Sequence, residues 1–159
     1  MSPARKIVAL AGALALAVGL LAGCGRAEEP STPADCFADA EEYSAALLSA
    51  PDEVLIGATP IADCLPADQP SGDLAEIGRA MTLAASSLAA DAADGDQGAA
   101  VAFGYLLGVV EVRADASSVH YDLGLRIGSE QAPLAEASDG VREVVAEGLE
   151  AGRSAAAAE

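Results

Sequence analysis

Thirteen consecutive uncharged residues, Gly98 to Val110, form the most apolar stretch outside the first two dozen positions, and they set what the rest of the chain can do. The run is too short for a bilayer, which needs about 20 apolar residues. Glu111 and Arg113 close it off. A helix apolar on every side must be surrounded by protein, so this one is expected to be the buried centre of a bundle. Gly104 and Gly108 stand four apart and share a helical face, where they would let a second backbone come close. We read that face as packing within the molecule and not as a dimer contact. Alanine dominates the composition, which favours helices packed through small side chains.

Further helices are expected around this centre. Thr32-Pro33-Ala34-Asp35 reads as a start, with a hydroxyl cap, proline at the first helical position and an acid in the first turn. Cys36, Ala40, Tyr43 and Leu47 would then share one face, and Ala50-Pro51 would end the helix. From Pro51 to Pro70 four prolines and Gly57 rule out one regular element and leave a long loop with at most a short helical turn. Asp73 with Glu76 resembles a capping arrangement, and Leu74, Ile77, Met81, Ala84 and Leu88 behind it form a stripe as far as the stop at Asp94-Gly95. Asp96 opens the central helix. Residues Val119 to Ile127 fit both a strand alternation and a helix, and helix is chosen because a lone strand has no evident partner. After a break at Gly128 to Pro133, Leu134 or Ser138 opens a last helix that buries Val141, Val144, Val145, Gly148 and Leu149. The expected fold is all-α, a small bundle of four to five helices with one long loop.

The beginning of the chain has another character. Arg5 and Lys6 precede an apolar run from Ile7 to Leu20, too short and too early to be a comfortable membrane span. Leu21-Ala22-Gly23-Cys24 follows, and it resembles the lipobox of bacterial lipoproteins. That resemblance implies cleavage before Cys24 and a lipid on its thiol. The chain therefore divides into a signal at 1–23, a flexible tether at 24–31, a helical domain at 32–151 and a frayed tail at 152–159. The expected location is the extracytoplasmic face of the cell membrane, reached through the lipid anchor. Residues 24–159 suffice for a single core and no more.

With Cys24 taken by lipid, Cys36 and Cys64 are an even pair in an oxidising compartment, and a disulfide between them is expected. Loss of Arg5 and Lys6 with the signal takes the formal charge from −17 to −19 and removes the only lysine. Such a surface repels nucleic acid and anionic headgroups and leaves a basic protein partner as the compatible macromolecule. With three tyrosines, two phenylalanines and no tryptophan, the chain has no material for an aromatic platform for sugars or bases.

Three groupings hold residue types that can carry chemistry. Ser117, Ser118, His120 and Asp122 supply the residue types of a serine hydrolase, but side chains two apart diverge and no Gly-Xaa-Ser-Xaa-Gly elbow occurs. The serines read instead as a helix cap, and His120 and Asp122 as surface or satisfied groups. Asp91, Asp94 and Asp96 around Gly95 lack the order of a calcium loop and read as helix stop and cap. One histidine and two remaining cysteines do not make a zinc site. No cofactor, metal or catalytic residue is therefore expected. Pro60-Ile61-Ala62-Asp63-Cys64-Leu65 and Gly104-Tyr105-Leu106-Leu107-Gly108, followed by His120-Tyr121-Asp122-Leu123, resemble an uncharacterised family of exported helical proteins of high-GC bacteria, which implies an all-helical fold and brings no activity. The function expected is a non-enzymatic, membrane-anchored interaction or accessory module. The alternative is a small-molecule or lipid carrier with a cavity between the Pro51–Pro70 loop and the Gly104/Gly108 face.

Overall fold

The structure, a computed structural model, describes residues 32–158. The signal, Cys24 and the tether lie outside the described residues. The fold is all-α: five helices, α1 (Ala40–Leu47), α2 (Ser71–Ala93), α3 (Gln97–Ala116), α4 (Tyr121–Ser129) and α5 (Asp139–Ala157). A two-stranded hairpin, β1 (Leu55–Ile56) with β2 (Thr59–Pro60), interrupts the loop between α1 and α2.

Helix α3 is the centre of the bundle, with Ala99, Ala100 and every residue from Ala102 to Val110 buried. Asp96 caps it by accepting from the Ala99 N–H at 3.0 Å, as the sequence suggested. Helix α2 precedes it across a turn in which Gly95 takes a φ of +102°, a left-handed conformation that glycine adopts freely. Helix α5 lies along α3 and runs in the same direction. A Cβ on Gly104 would stand 2.1 Å from the Val145 carbonyl oxygen, and one on Gly108 2.2 Å from that of Leu149. From the other helix, Gly148 faces the Val101 oxygen at 2.2 Å and Gly152 the Tyr105 oxygen at 2.0 Å by the same measure. Any larger residue would drive the backbones apart, whereas glycine turns a Cα–H bond toward each carbonyl. Arg153 closes the far end of this contact, its Nη2 donating to Glu111 Oε2 at 2.6 Å.

Local chemistry explains the differences from the sequence reading. The first helix is two pieces, a 3-10 turn at Ala34–Phe37 and then α1, because Asp39 forms its own capping box. Its carboxylate accepts from the Glu41 and Glu42 N–H groups at 3.0 Å, and Glu42 accepts from the Asp39 N–H at 3.3 Å. Helix α2 begins at Ser71 behind Pro70 with no side-chain cap, so the Asp73–Glu76 capping arrangement does not form. Residues 119–127 are helical, with a 3-10 turn at Ser118–His120 leading into α4. Ser138 caps α5, which continues through Ala157 with Gly152 and Ala156 buried, where a frayed tail was expected from residue 152. Its docking on α3 holds it.

The loop between α1 and α2 is stapled as expected. Cys36 and Cys64 are joined, with an S–S distance of 2.01 Å and both residues fully buried. The hairpin inside it departs from the irregular loop that the prolines imply. Gly57, with φ +61°, makes the tight turn, and the Asp35 carboxylate accepts from the Ala58 N–H at 2.9 Å and the Thr59 hydroxyl at 3.3 Å. Tyr43 donates its hydroxyl to the Cys36 carbonyl at 2.8 Å, and burial pushes its phenol above the ordinary range.

Candidate functional site

The three buried polar side chains among the described residues, Thr32, Gln69 and His120, belong to one hydrogen-bonded chain. Helix α3 ends where Ser117 turns extended, and the 3-10 turn that follows carries His120 inward to complete burial. Its Nε2 lies 3.1 Å from Gln69 Oε1. The Gln69 amide nitrogen donates to the Cys64 carbonyl at 2.9 Å and to the Thr32 hydroxyl at 3.4 Å. These partners fix the orientations. A carbonyl only accepts, so the amide nitrogen must face Cys64 and its oxygen must face the ring, which assigns the imidazole proton to Nε2.

The other ring nitrogen, Nδ1, is buried and makes no hydrogen bond of ordinary geometry among the described residues. The Arg113 backbone carbonyl, which accepts from the Ser117 N–H at 3.0 Å, stands beside the ring. Burial holds the His120 pKa below its ordinary value of 6.5. The Arg113 carbonyl favours the charged ring, while the Arg113 guanidinium opposes it. The result is a neutral imidazole that ties the α3–α4 junction to the stapled loop and to Thr32, where the described chain begins.

This arrangement is a structural latch. His120 is sealed from any dissolved substrate and pairs with an amide, not a carboxylate; it is neither a surface group nor part of a triad. Ser117 donates to the Ala67 carbonyl at 3.3 Å and accepts from the Val119 N–H at 3.4 Å, and Asp122 is exposed. Asp94 ends α2 and Asp96 caps α3; among the described residues no group of three or more His, Cys, Asp or Glu side chains is placed to hold a metal. No sequence signal betrayed Gln69, because the loop places it against His120 across 51 residues.

Clefts indent the surface of the described residues, three of them well formed. One of about 490 Å³ lies between Phe37, Ala46 and the hairpin at Leu55. One of about 530 Å³ lies beneath Pro51–Val54 and is walled by Tyr105, Ala151 and Ala155. The third, of about 340 Å³, lies between Leu107, Leu134, Val145 and Leu149, with Arg142 at its side. The Gly104/Gly108 face lines none of them, since α5 fills it. No family model matches the chain, and neither a curated protein nor a solved structure is similar to it, so the site stands on its own residues.

Proposed function

We propose that this protein is an exported lipoprotein, held by lipid on Cys24 at the extracytoplasmic face of the cell membrane, and that it works there as a non-enzymatic interaction module for a basic protein partner. The Leu21-Ala22-Gly23-Cys24 sequence supports the location, and the buried Cys36–Cys64 disulfide suits an oxidising compartment. The observation that carries the interaction is the outer ridge of α5. Asp139, Glu143, Glu147 and Glu150 follow at helical spacing and all are exposed. Of the two arginines of this helix, Arg142 pairs with Asp139 at the start of the ridge and Arg153 with Glu111 of α3. Glu143, Glu147 and Glu150 make no ion pair among the described residues, and like charges one turn apart cost an isolated helix about 0.2–0.5 kcal/mol per pair. A basic ligand surface would relieve that repulsion.

Cross-linking in native membranes tests this, with a photoactivated reagent, because no lysine follows Lys6 for amine chemistry and carboxylate chemistry would itself be blocked by the variant below. One dominant partner is expected, and the triple variant Glu143→Gln/Glu147→Gln/Glu150→Gln should lose it. Equal capture by both proteins would refute the acidic ridge as the binding surface. The cleft beneath Pro51–Val54 favours a second reading, a carrier of a small apolar ligand. Native mass spectrometry of the purified lipoprotein would reveal such a ligand as bound mass.

A further inference from the structure

We infer that Val119, Tyr121 and Leu125 form a membrane-contact face that rests the domain on the zwitterionic headgroup layer of the bilayer holding Cys24; the inference builds on the lipid anchor proposed above. These side chains are 41 %, 58 % and 57 % exposed, while Leu123 and Ile127 of the same helix are buried. Tyr121 and Leu125 lie one turn apart on one face of α4, and Val119 sits two residues before Tyr121. The short helix thus shows apolar residues to the solvent as well as to the core.

Where the chain leaves the described domain decides what covers that face. Thr32 is bonded to Gln69, and the same amide is bonded to His120, which lies between Val119 and Tyr121 in the sequence. The exit toward Cys24 is therefore one glutamine side chain away from the patch. Gly25 to Ser31 can span at most about 25 Å, the covalent limit of seven residues. An anchor that short keeps the Thr32 side of the domain toward the bilayer. The α2–α3 turn lies at the other end of α3, a helix about 30 Å long.

The residue types suit an interface. Tyrosine places a ring in the apolar boundary and a hydroxyl among the headgroups, and leucine and valine add aliphatic area. Three side chains are too few to hold a protein on a membrane, so the lipid anchors and the patch orients. Around the patch exposed Asp115 and Asp122 outnumber exposed Arg126, so it lacks the basic excess that anionic headgroups need and suits zwitterionic lipid.

The chain has no tryptophan, so one introduced indole reports on its own surroundings. Lipidated full-length Tyr121→Trp and Gln97→Trp proteins would be reconstituted in phosphatidylcholine vesicles with acyl chains brominated near the headgroup. Gln97 is exposed at the start of α3, at the end away from Thr32. Tyr121→Trp fluorescence should be quenched at least twofold more than that of Gln97→Trp, and Leu125→Trp should repeat the result. Equal quenching, with lipid found by mass spectrometry on the Cys24-Gly25-Arg26 peptide, would overturn the membrane-contact face and leave the anchor standing. Absence of lipid on that peptide would overturn both.

Discussion

The α3–α5 contact and the segment from Ala34 to Gln69 are held together by opposite means. Along α3 and α5 four glycines bring two long helices into backbone contact, with the Glu111–Arg153 ion pair closing one end. Between Ala34 and Gln69 the elements are two to eight residues long, and a disulfide, the Asp35 carboxylate, the Tyr43 hydroxyl and the Gln69 amide fasten them. A long helix satisfies its own backbone and needs only a complementary surface. Short elements leave many backbone groups unpaired and bury little area each, so they depend on cross-links and side-chain hydrogen bonds. One half of the molecule is therefore sensitive to volume, the other to chemistry.

The largest expected effect is at the glycines. Gly148→Ala combined with Gly152→Ala puts two methyl groups into carbonyl oxygens of α3 and should cost on the order of 5 kcal/mol, close to the whole stability of a domain this size. Urea unfolding followed by circular dichroism would measure it; a loss below about 1 kcal/mol would mean that the helices separate easily and that the contact is not the volume-limited half. Next comes the staple. Replacing Cys36 and Cys64 together by serine, which opens a connection across 28 residues, should cost about 3–4 kcal/mol on the chain-entropy scale. Under reducing conditions the wild-type midpoint should fall toward that of the variant, while a glycine variant keeps its own additional deficit.

The latch comes third. Gln69→Leu strands the Nε2–H of His120 and the Cys64 carbonyl and should cost about 1–3 kcal/mol, and a double-mutant cycle with His120→Phe should show coupling because the two residues share one bond. The same ring gives the fold a pH dependence. Burial lowers its folded pKa below 6.5, so its contribution is complete above pH 6.5 and declines as the pH falls through that value toward the lower folded pKa, because the unfolded chain takes up the proton first. Urea midpoints measured from pH 8 to pH 5 should drop for the wild type and stay flatter for His120→Gln. The smallest effect has the opposite sign. A Cβ at Gly72 meets nothing within 4 Å, so Gly72→Ala in the first turn of α2 should stabilise by about 0.5–1 kcal/mol, and any loss there would show that the contrast among glycines is not one of space.

Much of this architecture was legible because it is local. The apolar run through Val110, the cap at Asp96 and the stop at Asp94-Gly95 each follow from neighbouring residues, and the sequence determined them together with the disulfide, for which no other pairing remained once Cys24 was set aside; for α5 it offered Leu134 or Ser138, and the fold selects Ser138. The capping box at Asp39 is equally local, but Thr32-Pro33 offers an earlier start that competes with it in the sequence. What tertiary structure decided is what depends on distant partners. Gly104 and Gly108 announced a close approach, but only the fold shows that Gly148 and Gly152 of a parallel α5 complete it and keep the end of that helix from fraying. His120 stands between two exposed residues in the sequence and is itself fully buried, because Gln69 and the Arg113 carbonyl close around it. Periodicity reports which side of an element is apolar, whereas a single polar residue becomes core only when another segment supplies its hydrogen bond.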